Sequence, residues 1–251
     1  MKRLPLQILV LSLALLVPVA AAQALPVWLP GTTQVAIAGP QSSTTAVTAM
    51  MLETNSATVV ENPDGSVTFM NGSMTMAGMW DWTWTSITLD PDPYVSFVGG
   101  FTNISAMTQD FVFSSVVPIS PALPSTLYGG STNVTYLDPD FSGGSLTNDS
   151  SSNPAYTGTI DGTGTLDMLA ALNLTVSPSS ATEFQGLPGP TIPGPAANST
   201  IGILHRFRLT AGDQATFNST FQVVLIPEPG TFALLGAGLV GLALHGRRRQ
   251  A

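Results

Sequence analysis

The sequence predicts an all-β protein: a single antiparallel β-sandwich or jelly-roll-like body, flanked by an N-terminal signal peptide and one short C-terminal hydrophobic helix. Three observations predict it. Strand-length runs of β-branched and aromatic residues recur along the chain, punctuated by Gly, Pro, Asn and Asp. No long stretch between the termini repeats apolar residues at helical spacing. The chain has no Cys, so its stability must come from a core and sheet ladders rather than disulfides, and thiol catalysis and Cys-ligated metals are excluded.

At the N-terminus, Lys2 and Arg3 precede an apolar run from Leu4 to Val17, then Pro18 and the small residues Val19-Ala20-Ala21-Ala22-Gln23-Ala24. Basic, then apolar, then small is the order of a secretory signal peptide. Ala22 and Ala24 suit the narrow pockets of signal peptidase, which places cleavage after Ala24. The Sec translocon and signal peptidase are the partners this segment implies. About fourteen apolar positions, interrupted by Pro5, fall short of the ~20 residues that span a bilayer, so removal is favoured over a permanent anchor.

Residues 25–226 form the body, long enough for one substantial core. Its only basic residues are Arg206 and Arg208, against fourteen of the fifteen acids, which leaves the exported part at about −12. Phosphate binding depends on Lys and Arg releasing counterions, so nucleic-acid partners and peripheral attachment to anionic lipid are excluded.

Ten strands are expected in the body: Thr33–Ala38, Ser56–Glu61, Ser66–Met76, Met79–Leu89, Tyr94–Thr102, Thr108–Val117, Thr157–Asp167, Leu169–Val176, Thr200–Thr210 and Gln214–Leu225. Asn62-Pro63-Asp64-Gly65 reads as a hairpin turn, because Asp-Gly tolerates the positive φ of a tight reversal. Ala211-Gly212-Asp213 reads as a second. Two stretches read as loops: Asp138 to Pro154, dense in Gly, Ser and Asn, and Pro178 to Asn198, dense in Pro and Gly, which would cross between sheets.

Residues 227–251 have the layout of a sorting signal. Pro227-Glu228-Pro229-Gly230 leads into an apolar stretch from Thr231 to His245, followed by Arg247, Arg248 and Arg249. The prolines end the preceding strand and suit a helix start, where donors lack partners anyway, and Glu228 complements the helix dipole. About fifteen helical residues cover roughly 23 Å at ~1.5 Å each, a marginal span suited to a temporary anchor. The Arg cluster is a stop-transfer signal that stays cytoplasmic under the positive-inside rule, leaving the body on the exported side. With small residues at Ala233, Ala237 and Gly241, the helix also suits a plain packing anchor.

These residues, from Pro227 to about Arg249, resemble the PEP-CTERM sorting domain of Gram-negative bacteria. The resemblance implies recognition of Pro227, Glu228 and Pro229 by an exosortase, a membrane protease-transpeptidase that would cut near them. It also implies an exported protein, held transiently in the inner membrane by the C-terminal helix and then delivered to the cell surface or the extracellular matrix of a biofilm. The segment from Trp80 through Pro118 is similar to one found in other PEP-CTERM proteins.

Within the body, Trp80, Trp82 and Trp84 alternate, so in a strand their indoles share one face. They form either a core layer or a flat platform for glycan contact. Ile87 and Leu89 fall on the opposite parity, which requires a bulge or apolar groups on both faces. Asp138, Asp140 and Ser142, with Asp149 at the twelfth position of the same loop, partly match a calcium loop around Gly143. Ser145 stands where a buried aliphatic is wanted, Asp149 where a bidentate Glu is usual, and neither flank is helical, so the match is weak and a solvated turn is the preferred reading. Asp90 and Asp92 could form an acid pair, although turn rigidity explains them more cheaply. His205 alternates with Ile203, Phe207 and Leu209, and no nucleophile elbow accompanies it.

The expected function is therefore that of a non-enzymatic cell-surface or matrix protein. A carbohydrate-binding module using the Trp row, with extracellular polysaccharide as partner, is the alternative, and a polysaccharide hydrolase the third. No cofactor is expected, with calcium the single metal the carboxylate spacing suggests.

Overall fold

Alternation of inward apolar and outward polar side chains governs the strands, and it is sharpest in the last two. Thr200–Leu209 buries Ile201, Ile203, His205, Phe207 and Leu209, and Gln214–Leu225 buries Ala215, Phe217, Ser219, Phe221 and Val223. Each strand therefore presents one face to a core and one to solvent.

The computed structural model describes residues 33–38, 43–47, 49–176, 180–187 and 189–226. The signal-peptide residues Ala22 and Ala24 and the tail residues Pro227, Glu228, Pro229, Arg247, Arg248 and Arg249 lie outside them. In chain order the elements are β1 (Thr33–Ala38), β2 (Ser43–Val47), α1 (Ala49–Asn55), β3 (Ser56–Glu61), β4 (Val67–Met76), β5 (Trp80–Asp90), β6 (Tyr94–Asn103), β7 (Gln109–Pro118) and β8 (Thr126–Leu137). They continue with β9 (Gly144–Thr147), β10 (Tyr156–Ile160), β11 (Thr163–Met168), β12 (Asn173–Val176), β13 (Ser180–Gly186), β14 (Ile192–Gly194), β15 (Thr200–Leu209) and β16 (Gln214–Leu225). Among the described residues no helix is long and apolar enough to cross a membrane.

The strands form two antiparallel sheets. The first runs β11-β10-β15-β7-β1-β2, with β9 pairing the end of β15 and carrying β12 beside it. The second runs β13-β8-β16-β6-β5-β4-β3, with β14 beside the start of β8. Their inner faces share one aromatic core. Phe97 of β6 meets Phe113 of β7 at 4.4 Å between ring centroids, and Phe207 of β15 meets Phe217 of β16 at 4.9 Å. The second distance lies within, and the first at the short edge of, the favourable range for tilted ring pairs. The architecture is thus an antiparallel β-sandwich.

The parity conflict in β5 is resolved by a bulge. Pairing with β6 shifts register between Trp84 and Ser86, so Thr85 is the extra residue and Ile87 and Leu89 return to the face that carries the tryptophans. In β4, Asn71 has φ 52°, a left-handed conformation that Asn tolerates better than most residues. Val67 and Phe69 are buried before it, whereas Gly72, Met74 and Met76 take the more buried positions after it. Phe69 still pairs Ile87 and Gly72 still pairs Trp84, so both strands change parity at the same level.

Several expectations need correction. Thr157–Asp167 is two strands, β10 and β11, reversed at Asp161 and Gly162, both with positive φ. The strand expected at Leu169–Val176 is shortened to β12. The stretch Asp138 to Pro154 contains β9, and Pro178 to Asn198 contains β13 and β14, both paired to β8. β8 lies within the second sheet although no strand was expected there. It carries Gly129 and Gly130, where a Cβ on Gly130 would run into the carbonyl oxygen of Thr220. The Asn62–Gly65 reversal forms as expected, with the Gly65 amide donating to the Asn62 carbonyl at 2.9 Å.

Candidate functional site

Three connections between the two sheets converge at one end of the sandwich: those joining β6 to β7, β8 to β9, and β15 to β16. Strand alternation turns Tyr136 and Asp138 of the β8 end inward and leaves Leu137 exposed. The following turn is folded by its own carboxylates. Oδ1 of Asp140 accepts from the Ser142 amide and Oδ2 of Asp138 from the Gly143 amide, each at 2.9 Å, while Phe141 and Gly143 take positive φ.

The β15–β16 reversal lies against it. Gly212, with φ 80°, donates its amide to the Asn103 carbonyl at 2.8 Å, and the Asn103 amide donates to the Asp213 carbonyl at 2.9 Å. The Thr210 hydroxyl donates to the Ser145 carbonyl at 2.8 Å, and the Ser145 amide donates back to it at 2.5 Å. The Tyr136 phenol donates to Oδ2 of Asp213 at 2.8 Å. A Cβ on Gly144 would overlap the Asp213 carboxylate, so glycine is the residue that lets β9 begin there.

This arrangement brings one carboxylate oxygen each from Asp138, Asp140 and Asp213 within 4.8 Å of one another. Asp138 and Asp213 are 1% and 0% exposed, and Asp140 is open to solvent. Oδ1 of Asp138 and Oδ1 of Asp213 are buried without a hydrogen-bond partner. Burial raises the Asp213 pKa and the charges of Asp138 and Asp140 add to the rise, opposed by the Tyr136 and Thr210 hydroxyls. Burial and the Asp213 carboxylate likewise raise the Tyr136 phenol. The Ser142 amide and hydroxyl hold Asp140 below its ordinary value.

The sequence-predicted calcium set is rearranged here. Asp138 and Asp140 join Asp213 rather than Asp149. Asp149 organises a separate turn beyond β9, where its Oδ1 accepts from the Ser151 amide at 3.1 Å and hydroxyl at 2.5 Å and from the Asn153 amide at 3.3 Å. Ser142 contributes its amide to Asp140, and its hydroxyl lies 3.4 Å from the Gly143 carbonyl. The sequence marks Asp213 only as part of a turn, since it lies far from Asp138 along the chain.

The Trp row is not a platform. Trp80, Trp82 and Trp84 are each at most 2% exposed. Trp82 lies parallel to Phe101 at 6.0 Å and reaches across the core to Phe113 at 5.5 Å. Trp84 donates its indole N–H to the Ser56 hydroxyl at 3.1 Å. A Cβ on Gly72 would overlap that indole, so β4 accommodates Trp84 by offering no side chain there.

His205 is fully buried, and neither ring nitrogen meets a partner with hydrogen-bond geometry. Its ring packs on Phe217 at 4.6 Å and Tyr156 at 5.3 Å. Burial lowers its pKa to about 3, the Ala155 carbonyl acting in the opposite direction. Asp90 commits Oδ1 to the Asp92 amide at 2.9 Å, as a turn residue does. On the outer face of the second sheet, a groove of about 340 Å³ is lined by residues including Thr83, Thr85, Asn133, Thr135 and Asn218.

The fold defines the described region as an antiparallel β-sandwich. Its last strand runs directly into residues 225–249, which match the family model of the PEP-CTERM protein-sorting motif. The chain therefore carries a PEP-CTERM sorting motif at its C-terminal end, and the motif implies export, processing by an exosortase-type membrane enzyme and sorting to the cell surface. No curated protein matches the chain. Among solved structures it is similar to TmCBM61 in complex with β-1,4-galactotriose, at 11% identity and TM-score 0.26, over 59% of this chain and 92% of that one. It is also similar to the arabinose-bound MgGH51 α-L-arabinofuranosidase, at 12% identity and TM-score 0.28, over 60% of this chain and 22% of that one. At identities and scores this low, neither likeness assigns a ligand or an activity to this chain.

Proposed function

We propose that this chain is a non-enzymatic surface protein whose exported β-sandwich becomes part of the extracellular polymer matrix. The observation that carries the reading is the PEP-CTERM motif at 225–249, which abuts β16 with no intervening linker. Signal peptidase removes residues 1–24, the hydrophobic tail holds the body at the inner membrane, and the exosortase acts near Pro227-Glu228-Pro229. Two features support the non-enzymatic part. The body's sole histidine, His205, is enclosed among aromatic rings, and the acid at Asp90 is tied into its own turn.

Intact-mass and C-terminal peptide analysis of protein from the medium, the outer surface and the inner membrane of the native host tests the reading. A mature chain starting near Leu25 and lacking Arg247, Arg248 and Arg249 is expected outside the inner membrane. An intact Arg tail confined to the inner membrane would overturn it and make the protein a tail-anchored one.

A second reading, polysaccharide contact, is favoured by the outer groove, where the Asn133 and Asn218 amides and the Thr hydroxyls offer donors and acceptors suited to sugar hydroxyls. Affinity electrophoresis through gels containing host exopolysaccharide tests it. Retardation that an Asn218→Ala, Asn133→Ala double variant abolishes would support it, and unretarded wild-type protein would remove it.

A further inference from the structure

The corner where the three sheet-crossing connections meet gathers more negative charge than the surrounding protein balances. Asp138, Asp140 and Asp213 bring carboxylate oxygens within 4.8 Å of one another. The only ion pair among the described residues is elsewhere, between Arg208 and Asp110 at 2.8 Å. Isolated carboxylates taken out of water are costly unless paired, protonated or bound to a metal. Two of the three are nine-tenths buried or more, and each has one oxygen engaged and one free. In Asp138, Oδ2 holds the Gly143 amide and Oδ1 has no partner; in Asp213, Oδ2 holds the Tyr136 phenol and Oδ1 has no partner.

The hydrogen bonds to Oδ2 fix both carboxylates, and an orphaned Oδ1 on each is what a ligand would satisfy. We propose that Asp138, Asp140 and Asp213 bind a calcium ion that fastens the β8–β9 turn to the β15–β16 turn. The donor chemistry selects the ion. The three side chains offer oxygen alone, which suits a hard cation, and the body has no Cys and only one His, enclosed elsewhere in the core. Calcium takes six to eight oxygens in adaptable geometry, whereas magnesium demands a near-ideal octahedron and gives up water reluctantly. Three carboxylates on two separate turns, with water or backbone carbonyls completing the shell, meet the first requirement better than the second. Exposed Asp140 marks the side from which the ion enters.

The site joins the two sheets. β8 and β16 belong to the second sheet and β9 and β15 to the first, so an ion shared by Asp138 and Asp213 closes the end of the sandwich where the chain crosses between them. It is independent of the sorting reading, because it rests on the folded body alone.

The test uses the purified full chain. Thermal unfolding is followed in chelator and in calcium, and terbium luminescence sensitised through Tyr136, beside Asp213, reads direct occupancy. At a calcium concentration about a hundredfold above Kd, Tm should rise by about 5–10 °C relative to chelator, and calcium should displace bound terbium. Asp140→Asn, at an exposed position that leaves folding intact, should weaken terbium binding at least tenfold and remove most of the Tm rise. Asp213→Asn should do the same, and Asp149→Asn should leave both readouts unchanged. A Tm indifferent to calcium and chelator, with terbium emission no greater than in Asp140→Asn, would overturn the proposal. A calcium response that survives in Asp213→Asn and is lost in Asp149→Asn would overturn it in favour of the contiguous loop.

Discussion

Tyr136 donates its phenol to Oδ2 of Asp213 across 2.8 Å, with both side chains fully buried. Tyr136→Phe keeps the ring and deletes the donor. Leaving a buried acceptor unsatisfied costs about 1–3 kcal/mol, so the urea midpoint should fall by that equivalent. A smaller loss in calcium than in chelator is expected if the ion also holds Asp213.

His205 sets a pH dependence with a definite sign. Its folded pKa lies near 3, against an ordinary imidazole value of 6.5, so the unfolded chain takes up a proton that the folded chain refuses. Stability from this group is complete above pH 6.5 and falls as pH drops toward 3, by up to about 1.4 kcal/mol per unit. Urea unfolding at a series of pH values should show that slope, and His205→Leu should flatten it.

Trp80, Trp82 and Trp84 should emit as buried indoles. In a Trp28→Phe background, where the row alone reports, emission should be blue-shifted and resist acrylamide. Trp82→Ala, which deletes the ring that bridges Phe101 and Phe113, should cost about 3–5 kcal/mol in denaturant unfolding.

Asp161 holds the β10–β11 reversal against the chain entering β15. Its carboxylate accepts from the amides of Asn198, Ser199 and Thr200 and from the Asn198 and Ser199 side chains, at 2.8 to 3.0 Å. Burial alone would raise its pKa; the Thr200, Asn198 and Ser199 donors outweigh it and hold it well below the ordinary carboxylate range. Stability from this contact is therefore present above pH 4 and lost as pH falls through the folded value. Asp161→Ala should lower the unfolding midpoint at neutral pH, by about 1 kcal/mol, because the released amides at this exposed reversal are taken up by water.

The sheet strands that alternate cleanly were legible from residue types, and β1, β3 and β16 have the boundaries that patterning predicts. β8 was not, because Gly129 and Gly130 signal a break when read locally. Their absent side chains answer to Gly189 and Thr220, which lie far along the chain. Asp161-Gly162 carries the same turn chemistry as Asp64-Gly65, yet flanking Thr residues of high β propensity masked it. The Trp row shows a different limit. Alternation reveals that the indoles share a face, but only the second sheet, through Phe113, decides that the face is inward. At the carboxylate corner, half of the arrangement was visible as Asp138 and Asp140. The third member was hidden because Asp213 arrives through the pairing of β8 with β16, whereas a contiguous template can offer only Asp149.

β16 is flanked by β8 and β6, and its pairing with β8 continues to Leu225. The Ile226 amide still donates to the Ser125 carbonyl at 3.1 Å, one residue before Pro227 and inside the matched motif. A tension applied through the C-terminus, by a membrane or by a polymer joined there, would pull along the axis of an interior strand. Its ladder hydrogen bonds would share the load together, rather than opening one after another as at a sheet border. Force spectroscopy should therefore record a higher rupture force when the protein is pulled from Ile226 than when it is pulled through β11.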